Sequence, residues 1–156
     1  MTFDCLQRMR IKLKSKVKGN YKDIMSKFDK ALFEFLKPSD KQMELVEFTG
    51  SKTGDKVHLR ILFPFKSEWI SHITGDETNE KEAYFIDEGV VLPSILGYWK
   101  HTHIVKKVSE STSEIIDDME FKAGWNWATP LLYPFIYLAF YPRIKAYKVY
   151  FGHPKV

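Results

Sequence analysis

Strict alternation of apolar and charged side chains is the feature that most limits the folds open to this sequence. In residues 10–18, Ile11, Leu13 and Val17 alternate with five cations, which is the period of a β-strand with one buried face. Six later segments are further strand candidates: residues 42–49, 56–63, 68–74, 82–88, 98–108 and 112–122. Polar loops join them in pairs, including residues 50–55 and 75–81. The sequence therefore predicts a largely antiparallel sheet.

Residues 20–37 have helical rather than strand spacing. Ile24, Phe28 and Leu32 recur every four residues, Asn20 can cap the start, and Pro38 ends the run. Both one helix and two short helices fit this pattern. The predicted order is strand, one or two helices, six strands and a C-terminal helix, which is an α+β chain.

The C-terminal helix is predicted to be irregular. Thr129 and Pro130 fit an N-cap followed by the first helical position. Pro134 and Pro142 each remove a helical hydrogen bond, so the helix is kinked, broken, or begins only near Pro134. The 20 residues between Lys122 and Arg143 carry no charge, but their prolines and polar residues favour a buried or interfacial helix over a membrane span.

Composition limits the class of protein. The chain has 156 residues, 44% of them hydrophobic, and is predicted to form one domain over residues 1–156. Its one cysteine excludes an internal disulfide framework and a cysteine-based zinc cluster, and suits a reducing compartment. Residues 1–10 lack the apolar core of a secretory signal. We therefore expect a cytoplasmic protein.

Positive charge is concentrated at the two ends of the chain. The net charge is +4, yet residues 1–18 carry six cations with Asp4 as their only acid, and residues 142–156 carry four cations, including Lys155, with no acid. A nucleic-acid footprint would require these cations to form one surface. We predict no nucleic-acid partner.

Two neighbouring strands carry the most informative motifs. The segments Trp99-Lys-His101-Thr-His103-Ile and Ile115-Ile-Asp117-Asp-Met119-Glu-Phe121 resemble strands of bacterial SRPBCC proteins, the superfamily of START lipid-transfer domains, birch-pollen-type allergens and polyketide cyclases. The segment Phe85-Ile-Asp87 and the later Phe140, Arg143, Tyr147 and Phe151 also fit that pattern.

The resemblance implies a helix-grip fold over a core of about residues 9–152. In this fold a curved seven-stranded antiparallel sheet wraps around a long C-terminal helix and leaves a cavity between them. The first strand pairs with the last, so its lysines would lie beside Glu114, Asp118 and Glu120. A patch that docks on anionic lipid headgroups is the less favoured interpretation of this basic strand.

The period of two assigns the motif residues to faces. Trp99, His101 and His103 share one face, which the resemblance also directs inward. Asp117 lies opposite a face with three acids that belongs in water, so it too should point inward. A hairpin would then bring this carboxylate close to both imidazoles.

Three interpretations of His101, His103 and Asp117 remain open. They could perform general acid–base catalysis, form a structural or ligand-binding hydrogen-bond network, which we favour, or bind a metal. No fourth metal ligand is evident, so we predict neither a metal nor a cofactor.

The aromatic excess, 15% of the residues, indicates a ligand cavity. The predicted ligand-binding set is Trp69, Trp99, His101, His103, Asp117, Met119, Phe121, Tyr133, Tyr137 and Phe140. The leading hypothesis is a non-catalytic carrier or sensor for a hydrophobic small molecule or lipid. One alternative is a cyclase- or dehydratase-type lyase or isomerase that uses His101 or His103 with Asp117. Another is a module that contacts a membrane surface or partner protein through the aromatic helix.

Overall fold

The computed structural model describes residues 7–154 and contains the predicted order of elements; Asp4, Lys155 and most of residues 1–10 lie outside the described residues. The elements are β1 (Met9–Lys18), α1 (Tyr21–Ser26), α2 (Lys30–Leu36), β2 (Met43–Phe48), β3 (Lys56–Ile61), β4 (Ser67–Thr78), β5 (Glu82–Val91), β6 (Leu96–Lys107), β7 (Thr112–Ala123), a short 3-10 turn (Asn126–Ala128), α3 (Thr129–Phe140) and α4 (Arg143–Phe151). The seven strands form one antiparallel sheet in the order β1-β7-β6-β5-β4-β3-β2.

The pairing of the basic first strand with the acidic last strand is confirmed. Lys12 is in register with Asp118. Arg10 donates two hydrogen bonds to Asp118, at 2.6 and 2.5 Å. Asp118 lies on the outer face as expected, yet its side chain is buried rather than in water, because Arg10 and Lys12 cover it. The basic face of β1 is therefore partly neutralised by its neighbour, which also pairs Glu114 with Lys14.

Strand β4 is longer than the sequence predicts. The segment 75–81 was expected to be a loop, but the ladder with β5 continues to the pair Thr78 and Ala83 after an irregularity at Gly75. Asp76 stabilises the extension by accepting hydrogen bonds from the backbone and hydroxyl of Thr53. Only residues 79–81 remain as the turn.

Two short helices, rather than one, follow β1. Asn20 caps α1 by accepting a hydrogen bond from the Lys22 N–H at 2.9 Å, and Asp29 caps α2 by accepting one from the Leu32 N–H at 3.0 Å. The second cap marks a new helix start within the segment. This confirms one of the two alternatives left open by the sequence.

The C-terminal helix begins at Thr129, not near Pro134, and Pro134 lies inside α3. The break falls at Pro142, between α3 and α4. The prediction that Thr129 is the N-cap is wrong, because Ala128 occupies that position. The Thr129 hydroxyl instead accepts a hydrogen bond from the Ala123 N–H and so ties α3 to the end of β7.

Helix α3 is only partly enclosed. Leu132 and Ile136 pack against the sheet, whereas Leu131, Phe135 and Leu138 are exposed. The segment is therefore neither fully buried nor fully exposed. Among residues 7–154, no helix combines the length and apolar character needed to cross a membrane.

The core has two parts along the concave face of the sheet. One part lies under α1, α2 and α4 and includes Leu32, Val105 and Tyr147. The other lies under α3 and includes Met119 and Phe121, both with no exposed surface. Between these two parts lie the buried polar residues of β6 and β7.

Candidate functional site

The inward direction of the histidine and aspartate side chains is confirmed. His101, His103 and Asp117 are all buried, and the β6–β7 register places His103 directly opposite Asp117. The alternation that buries Trp99 and Val105 on β6 carries both histidines to the same face. The hairpin thus brings two imidazoles and a carboxylate together.

One carboxylate oxygen is the centre of this cluster. Asp117 Oδ1 accepts a hydrogen bond from His101 Nε2 at 2.8 Å and another from the Tyr147 hydroxyl at 3.2 Å. His103 Nδ1 lies 3.6 Å from the same oxygen, and Arg143 Nη1 lies 3.9 Å from it. Two residues of α4 therefore complete a network that begins on the sheet.

The network holds Asp117 in its charged form. Burial by itself would raise the pKa of Asp117, but the hydrogen bond and charge of His101, the charge of Arg143 and the hydrogen bond from Tyr147 together lower it below its ordinary value. Burial, followed by the adjacent Asp117 charge, raises the pKa of Tyr147. Tyr147 therefore acts as a neutral hydrogen-bond donor.

His103 is enclosed by other rings. It stacks on Phe85 with ring centroids 4.3 Å apart and on His101 with centroids 3.7 Å apart. Its Nδ1 is buried without a hydrogen-bond partner among the described residues. Burial, together with the charges of His101 and Arg143, lowers the pKa of His103 well below that of a free imidazole. His103 is therefore neutral at physiological pH.

Asp87 is a member of the site that the sequence prediction missed. It lies opposite His101 in the β5–β6 register, and its Oδ1 is buried without a hydrogen-bond partner among residues 7–154. Burial raises the pKa of Asp87, although His101, Ser71 and Arg143 act in the opposite direction. The signal was present in the sequence, because Phe85 and Asp87 share the alternation of the inward face.

Arg143 is the second missed residue. It begins α4, and its guanidinium lies 4.5 Å from the centroid of the Phe140 ring, at the end of α3. Its Nη1 lies 3.9 Å from Asp117 Oδ1, so the first residue of α4 reaches the buried cluster of the sheet. Arg143 belongs to the sequence motif that also contains Phe140, Tyr147 and Phe151. Because the C-terminal residues are generally basic, the sequence gave no reason to assign Arg143 to a site.

A cavity of about 280 Å³ lies between the sheet and α3. Five of the predicted ligand-binding residues line it: Trp69, Trp99, His101, His103 and Phe140. The other five lie outside its lining: Asp117, Met119, Phe121, Tyr133 and Tyr137. Asp117 is behind the histidines in the network, and Met119 and Phe121 belong to the core under α3.

The three cluster residues could each offer one metal ligand, and these atoms lie within 4.8 Å of one another. A metal must lie close to the plane of each imidazole, about 2 Å from the ring nitrogen. The His101 and His103 rings are stacked with an angle of only 29° between their planes, so their nitrogens do not converge on one ion. Arg143 already supplies a positive charge beside Asp117. The arrangement fits a hydrogen-bond network better than a metal centre.

No family model matches the chain, and no curated protein matches it in sequence. Solved structures do match its fold. Zhui aromatase/cyclase from Streptomyces sp. R1128 is 10% identical with a TM-score of 0.66, over 89% of this chain and 90% of that chain. Norcoclaurine synthase from Thalictrum flavum, in complex with dopamine and hydroxybenzaldehyde, is 18% identical with a TM-score of 0.62, over 95% and 90%. A START superfamily protein from Mycobacterium smegmatis is 9% identical with a TM-score of 0.68, over 91% and 96%.

These neighbours are all SRPBCC proteins. At such low identities the similarity establishes the fold, which hosts carriers and enzymes alike. The fold similarity agrees with the sequence motifs on β6 and β7 that resemble this superfamily. The chain therefore has the helix-grip fold that these structures share.

Proposed function

We propose that the chain binds a hydrophobic small molecule or lipid in the cavity between the sheet and α3. The observation that carries this proposal is the lining of that cavity. Its walls are mainly apolar and aromatic, with Leu59, Trp69, Trp99, Leu132 and Ile136 among them. The volume of about 280 Å³ is close to the lower end of small-molecule sites, which span about 300–1,000 Å³.

The polar groups of the cavity are few. Ser71, Asp87, His101, His103 and Arg143 contribute to its lining, and in the β5–β6 register Asp87 and His101 face each other. Such a site suits an apolar skeleton that carries a hydroxyl or carbonyl group, because a buried polar group needs a hydrogen-bond partner. Exposed lining residues, Pro38, Ile95 and Phe135, mark the mouth of the cavity.

Filling the cavity should prevent binding. Ile136 lines the cavity and Leu138, two residues along α3, is exposed and does not line it. We expect Ile136→Trp to weaken the binding of a neutral naphthylamine dye by about tenfold or more, because the indole occupies the ligand's volume. Leu138→Trp is the matched control and should bind the dye as the unchanged protein does. Dye fluorescence titration measures both.

Equal dye affinity in the two variants would contradict a site in this cavity. Thermal unfolding of both variants shows whether each is folded. Native mass spectrometry of the purified protein gives an independent readout, since a carrier is expected to retain an apolar molecule that Ile136→Trp excludes.

Acid–base catalysis is the second candidate function, and one observation favours it. Two cavity residues have pKa values shifted in opposite directions, raised for Asp87 and lowered for His103. Burial therefore favours the protonated carboxyl of Asp87 and the neutral imidazole of His103, which are the forms that donate and accept a proton in acid–base catalysis. This pairing differs from the sequence-based hypothesis, in which Asp117 was the carboxylate.

An exchange assay separates the enzyme from the carrier. An acid–base site of this kind should exchange the α-protons of an apolar ketone with solvent deuterium, which proton NMR detects. Asp87→Asn and His103→Phe are each expected to reduce the exchange rate by about 100-fold while dye binding persists. Catalysis is contradicted if a panel of ketones that compete with the dye shows no exchange above buffer.

A further inference from the structure

Exposed aromatic and aliphatic side chains are concentrated at one end of the molecule. We call these residues the mouth surface, and its largest members are Phe63, Phe65, Ile95, Trp125, Trp127 and Phe135. Phe65 is 81% exposed, Trp127 74% and Phe135 70%. Single exposed apolar residues are common on proteins, but a contiguous apolar patch marks an interaction site.

The strand register places these residues at the same end of the sheet. Ile61 pairs with Ser67, so residues 62–66 connect β3 and β4 at this end of the sheet. Leu96 pairs with Ala123, so residues 92–95, which precede β6, and residues 124–128, which follow β7, lie at the same end of the sheet. The start of α3 follows directly. Ile95 and Phe135 also line the cavity, so the mouth surface is continuous with the cavity entrance.

The opposite end of the sheet has a different character. Its connections, at residues 49–55, 79–81 and 108–111, contain Lys52, Asp55, Glu80, Lys81 and Glu110. Two ends of one sheet therefore differ sharply in polarity. A general excess of aromatic residues does not account for this difference, because it would affect both ends.

The segments that carry the mouth surface contain no acid and have a small excess of positive charge. Residues 62–66, 92–95 and 124–140 contain one cation, Lys66, and no acid. The neighbouring loop before β2 adds the exposed Lys41. The acid of this loop, Asp40, is ion-paired with Lys37, which also pairs with Glu34. Anionic lipid headgroups attract lysines near an apolar surface. Docking of a second copy through this surface would bring the same lysines towards each other.

We propose that the mouth surface docks on a lipid bilayer containing anionic lipids and turns the cavity entrance towards the membrane. Tryptophan side chains favour the boundary between lipid headgroups and hydrocarbon, where Trp125 and Trp127 would insert. Phe63, Phe65 and Phe135 would bury apolar area in the same layer. Membrane docking itself does not require the proposed ligand-binding function. Only the role of the bilayer as the source or destination of a ligand rests on that function.

Vesicle flotation tests this proposal with the full chain. The protein is expected to float with phosphatidylcholine vesicles that contain phosphatidylserine, less with phosphatidylcholine alone, and less at high salt. Tryptophan emission should shift to shorter wavelength on vesicle addition. The double variant Phe65→Ser/Trp127→Ser should lose about tenfold or more in vesicle partitioning, because two strongly exposed side chains no longer insert.

The matched control replaces an exposed apolar residue at the opposite end, Val108→Ser, and should float as the unchanged protein does. Absence of flotation at low salt, or equal flotation of the double variant and the control, would overturn the proposal. So would a concentration-dependent dimer, seen by sedimentation without vesicles, that the double variant abolishes. Dye binding without vesicles tests the cavity separately, so the docking surface and the proposed function can fail independently.

Discussion

Replacement of Asp117 with asparagine is expected to lower the free energy of unfolding by about 3 kcal/mol. Asp117 Oδ1 accepts hydrogen bonds from His101 and Tyr147, and the Arg143 guanidinium lies 3.9 Å away. Asparagine keeps the size of the side chain but removes its charge. The partly buried Arg143 then has no counter-charge in the network, and removing one partner of a buried ion pair is costly. Urea denaturation at neutral pH measures the loss.

Asp118→Asn is the matched control, because the adjacent residue carries the same group on the outer face. Asp118 is itself buried, but its partners Arg10 and Lys12 have side chains that are 58% and 49% exposed, so water solvates both cations once the carboxylate charge is removed and the expected loss is smaller, about 1 kcal/mol. Equal losses of unfolding free energy in Asp117→Asn and Asp118→Asn would contradict the central role of Asp117.

The dependence of the free energy of unfolding on pH in acid gives a second test of Asp117. Its pKa in the folded state is below its ordinary value, so its contribution is present above the unfolded pKa, near 4, and is lost as pH falls through the folded pKa. Asp117→Asn should therefore flatten the stability curve below about pH 4.

Replacement of His103 with phenylalanine is expected to remove a loss of stability between about pH 6.5 and pH 5. The pKa of His103 is lowered in the folded state, so below about pH 6.5 the unfolded chain takes up a proton that the folded chain does not. Folding stability then falls by about 1.4 kcal/mol per pH unit, or about 2 kcal/mol over this window. Phenylalanine can keep the stacking on Phe85 and does not titrate.

Denaturant midpoints at pH 7.5 and pH 5 measure this effect. The raised pKa of Asp87 acts in the opposite direction, because the folded chain takes up that proton first as pH falls. The informative quantity is therefore the difference between His103→Phe and the unchanged protein. His153→Gln, at an exposed position, is the control. If the stability of both variants changes with pH as that of the unchanged protein does, His103 does not titrate as its burial predicts.

Much of the fold was predictable because its signals are local. The period of two in β1, β6 and β7 identified both the strands and their inward faces. The extension of β4 was missed because Asp76 and Glu77 look like turn residues, and only pairing with β5 and the contacts of Thr53 stabilise them as strand. The cap at Thr129 was misjudged for a similar reason, since its hydroxyl bonds to β7 rather than to its own helix.

The site was predictable in part. His101, His103 and Asp117 follow from alternation on two adjacent strands, whereas Asp87 needs the β5–β6 register and Arg143 needs the packing of α4 against the sheet. The cavity lining includes His101 and His103 but not Asp117. A sequence period assigns a side chain to a face, but the depth and curvature of the sheet decide whether it reaches a cavity.

The sequence by itself determined the order of strands and helices along the chain and the inward faces of β6 and β7, because each depends on residue type and short-range periodicity. The pairing of a basic β1 with an acidic β7 was expected only from the resemblance to a helix-grip fold. Only the tertiary structure decided that Asp117 lies behind the histidines, that Asp87 faces His101, and that the apolar loops lie at the same end of the sheet as the cavity mouth. These arrangements join residues far apart in the chain. They depend on how the sheet curves and where α3 and α4 pack, which no local pattern encodes.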